Sequence, residues 1–345
     1  MPSIGIAGAG ILGRVLAWRL VQAGFKVSLF DSDSKHGNQG AVWTAAGMLT
    51  PHTELEASNA VFELELSALS RWTSLAESLT GLVTLNRGGC LVVAHPQDTA
   101  SLAQFNQVLQ HHAARASAQA EHLDYAALKD LQPELAERFR KALWFPQEQW
   151  VNPHEVMHAL ATKLLEAGVE WHESSPITTL SAYTLQTPHH TYTFDCVVDT
   201  RGLGAKEAWQ GFRGVRGEVI EVFAPEVELN CLVRLLHPRY ALYIVPRPHH
   251  HYVIGATQIE SEDSSPISVR SALELLSAAY SIHSGFAEAR IVALRTNCRP
   301  TLPDHAPHLQ VERGLLRANG LYRHGILLSP EIAYQLEQQL EYALC

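Results

Sequence analysis

Ile4-Gly5-Ile6-Ala7-Gly8-Ala9-Gly10-Ile11-Leu12-Gly13 runs from an apolar strand into a glycine-rich turn. The glycines fall as Gly8-x-Gly10-x-x-Gly13, and an apolar helix from Val15 to Ala23 follows. A second strand, Lys26 to Phe30, closes on Asp31, eighteen positions after Gly13. Each part has a physical task. Gly8 permits the tight turn, Gly10 lets the backbone approach a pyrophosphate, and Gly13 lets the helix pack against the sheet. The helix start offers unpaired N–H groups and partial positive charge to phosphates. The Asp31 carboxylate can take both hydroxyls of an adenosine ribose. The glycine spacing alone is a weak signal; with strand, helix, second strand and acid in this order, it predicts a dinucleotide-binding βαβ unit.

Composition agrees with an ordinary enzyme. The 345 residues, 46% of them hydrophobic, are enough for two domains or two interleaved lobes. A net charge of −9 disfavours nucleic acid or an anionic membrane as the main partner. No apolar run approaches the roughly 20 residues of a membrane span. The first residues already form the nucleotide-binding strand, so no signal peptide is expected. Five cysteines, Cys90, Cys196, Cys231, Cys298 and Cys345, show no metal-ligand spacing and read as reduced thiols in a cytoplasmic protein.

Further along, Ala41 to Pro51 is rich in small side chains, which suits either a backbone lying against a flat ligand or a buried helix start. Residues 57–80 predict an amphipathic helix bearing Phe62, Leu66, Leu69, Trp72, Leu75 and Leu79. Helices are expected over 97–118 and over 125–140, the second broken at Gln132-Pro133. Between them and the next helix, Trp144 to Val151 reads as strand. That next helix starts with Asn152 as N-cap and Pro153 at its first position. After a polar hairpin, Ile177 to Phe194, the segment Cys196 to Ala205 repeats the pattern of strand then glycine, with Gly202 in the loop. Strands are expected at Gly217–Val222, Tyr240–Pro246, Tyr252–Ala256, Arg290–Leu294 and Leu315–Asn319. Helices follow at 268–280 and from Pro330 to Leu344. Nucleotide-binding elements thus recur at the start, middle and end, with a strand-rich insert between them. This interleaving predicts an α/β protein with a Rossmann-like FAD-binding domain (1–85, 145–210 and 290–345) and a strand-rich α+β substrate domain (86–144 and 211–289).

Several blocks, in order, carry a resemblance. They are Gly8 to Gly13, Ala45-Ala46-Gly47-Met48-Leu49-Thr50-Pro51-His52-Thr53-Glu54, Tyr243-Ile244-Val245-Pro246-Arg247 and Ile254-Gly255-Ala256-Thr257. Arg299-Pro300 and Tyr322-Arg323-His324-Gly325-Ile326-Leu327-Leu328-Ser329-Pro330 complete the set. The chain resembles the D-amino-acid oxidase superfamily of FAD enzymes, and within it the glycine oxidase (ThiO-type) branch. The resemblance implies FAD bound by Gly8, Gly10, Ile11, Leu12, Gly13, Asp31, Ala45, Ala46, Gly47, Met48, Gly202, Gly325, Ile326 and Leu327. It also implies hydride transfer from a small amine or amino acid to the flavin, an imine product and O2 as acceptor, with a homo-oligomer as a possible assembly.

Under this resemblance Arg299 pairs with the substrate carboxylate, Tyr243 donates a hydrogen bond to it, and Arg323 contacts substrate or ring. The N–H groups from Gly325 to Leu328 would stabilise the reduced flavin. Arg295 competes with Arg299 for the carboxylate role, and Tyr243 could equally be a packing residue. A cysteine near Cys298 carries the flavin covalently in the sarcosine oxidase branch; a simple buried thiol is the other reading. His324 departs from the family's smaller polar residue and is not read as a base. His249-His250-His251 reads as a solvated hairpin tip. The stretch after Arg299 also departs from the family, which leaves substrate identity open. Alternatives to an oxidase are a dehydrogenase feeding a quinone or carrier, and a flavoprotein partner in a modification complex.

Overall fold

The computed structural model describes residues 1–55, 61–112, 120–237 and 241–345. Residues 57–60, 113–118 and Tyr240 of the elements read from sequence lie outside this set. Strand Ser3–Ala7 sits inside a six-stranded sheet, parallel to Lys26–Phe30 on one side and Cys196–Asp199 on the other. Glu170–His172 extends the sheet beyond Lys26–Phe30, while Leu315–Asn319 and His308–Glu312 extend it beyond Cys196–Asp199. Ile4 and Ile6, fully buried, fit the continuous apolar reading of a strand covered on both faces. Helices Ile11–Gln22, Pro153–Glu166 and Gly325–Leu344 pack together on one face. The three-stranded hairpin sheet of Thr179–Ser181, Thr184–Gln186 and Thr191–Thr193 covers the other.

The second sheet has eight strands in the order Arg290–Thr301, Arg213–Phe223, His251–Gly255, Ala241–Arg247, Leu232–Leu236, Cys90–Ala94, Ala142–Phe145 and Glu121–Leu123. Alternation along each strand gives it two apolar faces. Ile220, Val222, Ile244 and Ile254 meet helix Val269–Ile282, while Val219, Val245, Val253 and Val92 face Ala46, Phe62 and Phe105. That second face looks toward the nucleotide-binding elements and carries the candidate site.

Local signals mostly lie where the residues predict them. Asn152 accepts from the His154 amide at 3.1 Å with Pro153 next. Gln132-Pro133 separates helices Tyr125–Leu131 and Pro133–Ala136. The aromatic stretch 144–151 belongs to two strands, Ala142–Phe145 and Gln149–Trp150, rather than one. Arg290–Thr301 is twelve residues long where five were expected, and it pairs with Arg213–Phe223. By pairing, it belongs to the eight-stranded sheet, although residues from 290 onward were grouped with the nucleotide-binding part.

The last helix also differs: it begins at Gly325, with Pro330 inside it, rather than at Pro330. Proline has no N–H to give to the carbonyl of Ile326, four residues back. The indole N–H of Trp72 supplies the missing donor, reaching the carbonyls of Ile326 and Leu327 at 3.1 and 3.0 Å, and the Ser329 hydroxyl adds a third bond at 3.0 Å. Trp72 is fully buried in helix Phe62–Ser78, so one side chain makes an interior proline tolerable and ties two helices together. Trp72→Phe is therefore expected to cost about 2 kcal/mol of stability from the lost bonds and the space left behind. Urea unfolding of the FAD-loaded protein would show it as a lower midpoint.

Candidate functional site

The glycine turn is built by close approach. Gly8 has φ +99°, and a Cβ there would lie 2.7 Å from the Thr200 backbone. A Cβ on Gly13 would lie 1.8 Å from the Gly8 carbonyl oxygen. The Thr200 hydroxyl donates to the carbonyls of Ala7 and Gly8, at 3.0 and 2.9 Å. Gly10 has open space where a side chain would be, and no side chain caps the helix that starts at Ile11 and Leu12. A pyrophosphate fits this arrangement: an open backbone, unclaimed helix N–H groups and no acidic residue in the first turn. Gly202, at φ +56°, follows Thr200 and approaches from the neighbouring strand, its carbonyl held by the Asn319 amide at 2.9 Å.

Asp31 lies at the end of Lys26–Phe30 with one oxygen accepting from the Ala9 N–H and the other from the Asp33 N–H at 2.8 Å. A carboxylate offers about four acceptor directions, so these bonds fix the group while leaving capacity for ribose hydroxyls. Buried Arg14, which no motif singled out, braces the turn from behind. Its guanidinium donates to the carbonyls of Ala9 and Met157 at 2.8 Å and of Lys35 at 3.1 Å. Burial pulls its pKa down to about 10.

The small-residue stretch forms the next wall. A 3-10 helix, Ala41–Thr44, ends at Ala45, and Arg247 donates to the Ala46 carbonyl at 2.5 Å. Gly47 has φ +82°, and a Cβ there would meet the Val151 carbonyl at 2.1 Å. Strand Met48–Leu49 then pairs with Gln149–Trp150. Backbone rather than side chain is thus presented here, as a flat ring requires. Opposite the sheet, helix Gly325–Leu344 starts without a side-chain cap, so the N–H groups near Ile326 and Leu327 are available to an electron-rich ring edge.

Between these walls lie Arg299, Tyr243 and Arg323, the two guanidinium charges acting on one phenol. Arg299 follows from register: Val215 faces it, and Gly217 lies two residues on, on the same face of its strand. A Cβ at Gly217 would lie 2.4 Å from the guanidinium, so the glycine lets the arginine lie flat on the sheet. There it donates to the carbonyls of Thr257 at 3.1 Å and Arg216 at 3.3 Å. Tyr243 is opposite Gly255, which is in turn opposite Val219. Desolvation pushes the Tyr243 phenol up to about 12, while the charges of Arg299 and Arg323 pull it back and Glu54 opposes them. Arg323 donates to the His324 ring at 3.2 Å and to the Glu54 carbonyl at 3.4 Å. Two cations and a neutral phenol thus converge beside the backbone walls.

Arg295 is elsewhere. It pairs with Glu221 at 3.2 Å, at a cavity of about 190 Å³ that Trp43, His154, Arg247 and His251 also line. Cys298 lies on the strand face opposite Arg299, against the carbonyls of Ser261 and Asp263, and burial raises its thiol pKa. His249 and His250 are exposed at a turn, and no cluster suited to a metal occurs among the described residues. His52 and Thr53 are fastened through their amides, at 2.9 Å each, to Glu148, a fully buried carboxylate whose pKa desolvation raises. Glu148 escaped the sequence reading, as did Glu65. The signal for Glu65 was there: it sits in the apolar stripe of its helix, between Phe62 and Trp72.

A dinucleotide cradle facing backbone walls and a cationic pocket defines a flavin-dependent oxidoreductase. The chain belongs to the family of FAD dependent oxidoreductases abbreviated DAO, whose model matches residues 3–339. A protein of Rhizobium etli that carries the name of the thiamine biosynthesis oxidoreductase ThiO is 40% identical over 336 residues, covering 97% of this chain and 95% of that one. Glycine oxidase of Geobacillus kaustophilus is 27% identical over 347 residues, covering 95% and 89%. The crystal structure of a glycine oxidase from that organism superposes with a TM-score of 0.86 at 26% identity, covering 99% of this chain and 95% of that chain. The protein is therefore an FAD-dependent oxidoreductase of the DAO family.

Gly13→Ala should abolish FAD retention, because its Cβ has no room against the Gly8 carbonyl. The ratio of flavin to protein absorbance after reconstitution with excess FAD reads this directly. Acid precipitation of the native protein should leave the flavin in the supernatant, since Cys298 faces away from the arginine pocket; colour in the pellet would contradict that placement.

Proposed function

We propose that this enzyme oxidises the C–N bond of a small amino acid, glycine or a close relative, with O2 as the final acceptor. The convergence of Arg299, Tyr243 and Arg323 carries the reading. A guanidinium and a phenol O–H aimed at one place make a receptor for a carboxylate. Tyr243, its pKa raised to about 12, stays protonated and keeps its donor at all working pH values. Bound FAD, held by the Gly8–Gly13 turn and Asp31 and flanked by Ala45 to Met48 and Gly325 to Leu327, would supply a two-electron acceptor for oxidation at the amine-bearing carbon, with O2 as the final acceptor. The arginine pair anchors the carboxylate end, so the adjoining C–H bond is presented to the walls formed by Ala45 to Met48 and by Gly325 to Leu327. With the substrate amine neutral, its lone pair would form the C=N bond as the adjoining C–H bond is oxidised, so the chain need supply no strong catalytic base, and water would hydrolyse the imine product. The name of the Rhizobium etli relative supports a role in supplying such an imine for thiazole synthesis in thiamine biosynthesis. Five free cysteines, four of them buried, fit a cytoplasmic setting.

Arg299→Ala removes a charge-assisted pair worth about 3 kcal/mol, and is expected to raise KM for glycine roughly a hundredfold. Steady-state H2O2 production measures it; unchanged kinetics would leave the carboxylate role to Arg323.

A further inference from the structure

Glu65 and His324 are a buried ionisable pair that adjoins Arg323 of the cationic pocket. Glu65 is wholly buried and His324 is 6% exposed, yet both are charged or chargeable groups in an apolar seam. His324 Nδ1 stands 2.5 Å from Glu65 Oε1. The two atoms make an ion-pair contact whose geometry is not that of a hydrogen bond. On its other side, His324 Nε2 accepts from Arg323 Nε–H at 3.2 Å. An arginine nitrogen can only donate, so Nε2 must be bare and Nδ1 must carry the ring proton. Glu65 is the group that makes this tautomer the favourable one, because its carboxylate faces Nδ1. Were the ring to reverse, its Nε2–H would point at the Arg323 N–H and push the guanidinium away.

We propose that the Glu65–His324 pair positions Arg323 toward the substrate carboxylate, and so helps set affinity for carboxylated amines. The proposal rests on the carboxylate reading of the pocket given above. The two residues act through Arg323. The Glu54 carbonyl holds a second nitrogen of Arg323 at 3.4 Å, so the guanidinium is set from two directions. Its charge reaches Tyr243, which puts the chain Glu65, His324, Arg323 in electrical contact with the phenol that shares the site. Burying a carboxylate is costly unless it is paired, so keeping Glu65 in the stripe of an otherwise apolar helix face calls for such a task.

The test uses the FAD-loaded protein and acetate, a carboxylate with no amine to oxidise, titrated against the flavin absorbance spectrum. Glu65→Gln, which keeps the shape and removes the charge, is expected to raise the acetate Kd about tenfold, and KM for glycine likewise, with kcat within twofold. In an Arg323→Ala background the same substitution should change the acetate Kd less than twofold, because the group it acts through is gone. Should Glu65→Gln fail to fold, the His324 position carries the test alone. His324→Gln retains an acceptor for Arg323 and a donor for Glu65 and should stay within threefold of wild type, whereas His324→Leu should lose about tenfold. Equal losses from Glu65→Gln with and without Arg323, or equal behaviour of the two His324 variants, would overturn the proposal and leave the pair a structural one. A wild-type spectrum indifferent to acetate while glycine still bleaches the flavin would overturn it too, with the substrate reading intact. Indifference to both would overturn the carboxylate reading itself.

Discussion

The Thr200 hydroxyl, donating to the carbonyls of Ala7 and Gly8, closes the turn on which the rest of the structure hangs. It joins residues almost two hundred positions apart, at a place where Gly13 lies against Gly8 with no room for a side chain. Strand Cys196–Asp199 must therefore dock beside Ser3–Ala7 before the cradle exists. Everything that intervenes in sequence has to be looped out and brought back, which is why the eight-stranded sheet is assembled from two separate stretches of chain, 90–145 and 213–301. The nucleotide site is thus also the junction that fixes how the two sheets are connected.

A second junction carries the substrate side. Helix Phe62–Ser78 grips the start of the last helix through Trp72, through the contact of Glu65 with His324, and through Arg71, which pairs with Glu331 and lies over the Tyr334 ring. These contacts position the loop that bears Arg323 against the sheet that bears Arg299 and Tyr243. The pocket is assembled at the meeting of two sheets, so no single segment contains it. A rigid backbone wall at Gly47 and an uncapped helix start at Gly325 frame it, and both present backbone groups rather than side chains. That arrangement suits a bound ring that carries the redox chemistry while the protein supplies orientation and charge.

Much of this was legible in the residues because it depends on local constraints. The glycine spacing, the Asn152-Pro153 helix start and the alternation of Val219 to Val222 each follow from backbone geometry or periodicity. Arg299, Tyr243 and Arg323 came from resemblance, and their convergence became visible only through strand register. What stayed hidden depended on partners distant in sequence. Pro330 reads as a helix start, yet Trp72, 258 positions earlier, lets the helix run through it. Strand Arg290–Thr301 continues well past its apolar part because pairing with Arg213–Phe223 holds polar Asn297 and Arg299 in the ladder. Arg14 and Glu148 bond mainly to backbone, a role no side-chain pattern announces.

Anaerobic titration of the oxidised protein with glycine, sarcosine, D-amino acids and 2-hydroxy acids tests the central claim most directly. The flavin absorbance should bleach with a small amino acid and recover on admitting O2, while 2-hydroxy acids leave it unchanged. A flavin that stays oxidised with every amine, or that only a hydroxy acid reduces, would contradict oxidation of a C–N bond at the Arg299–Tyr243 site.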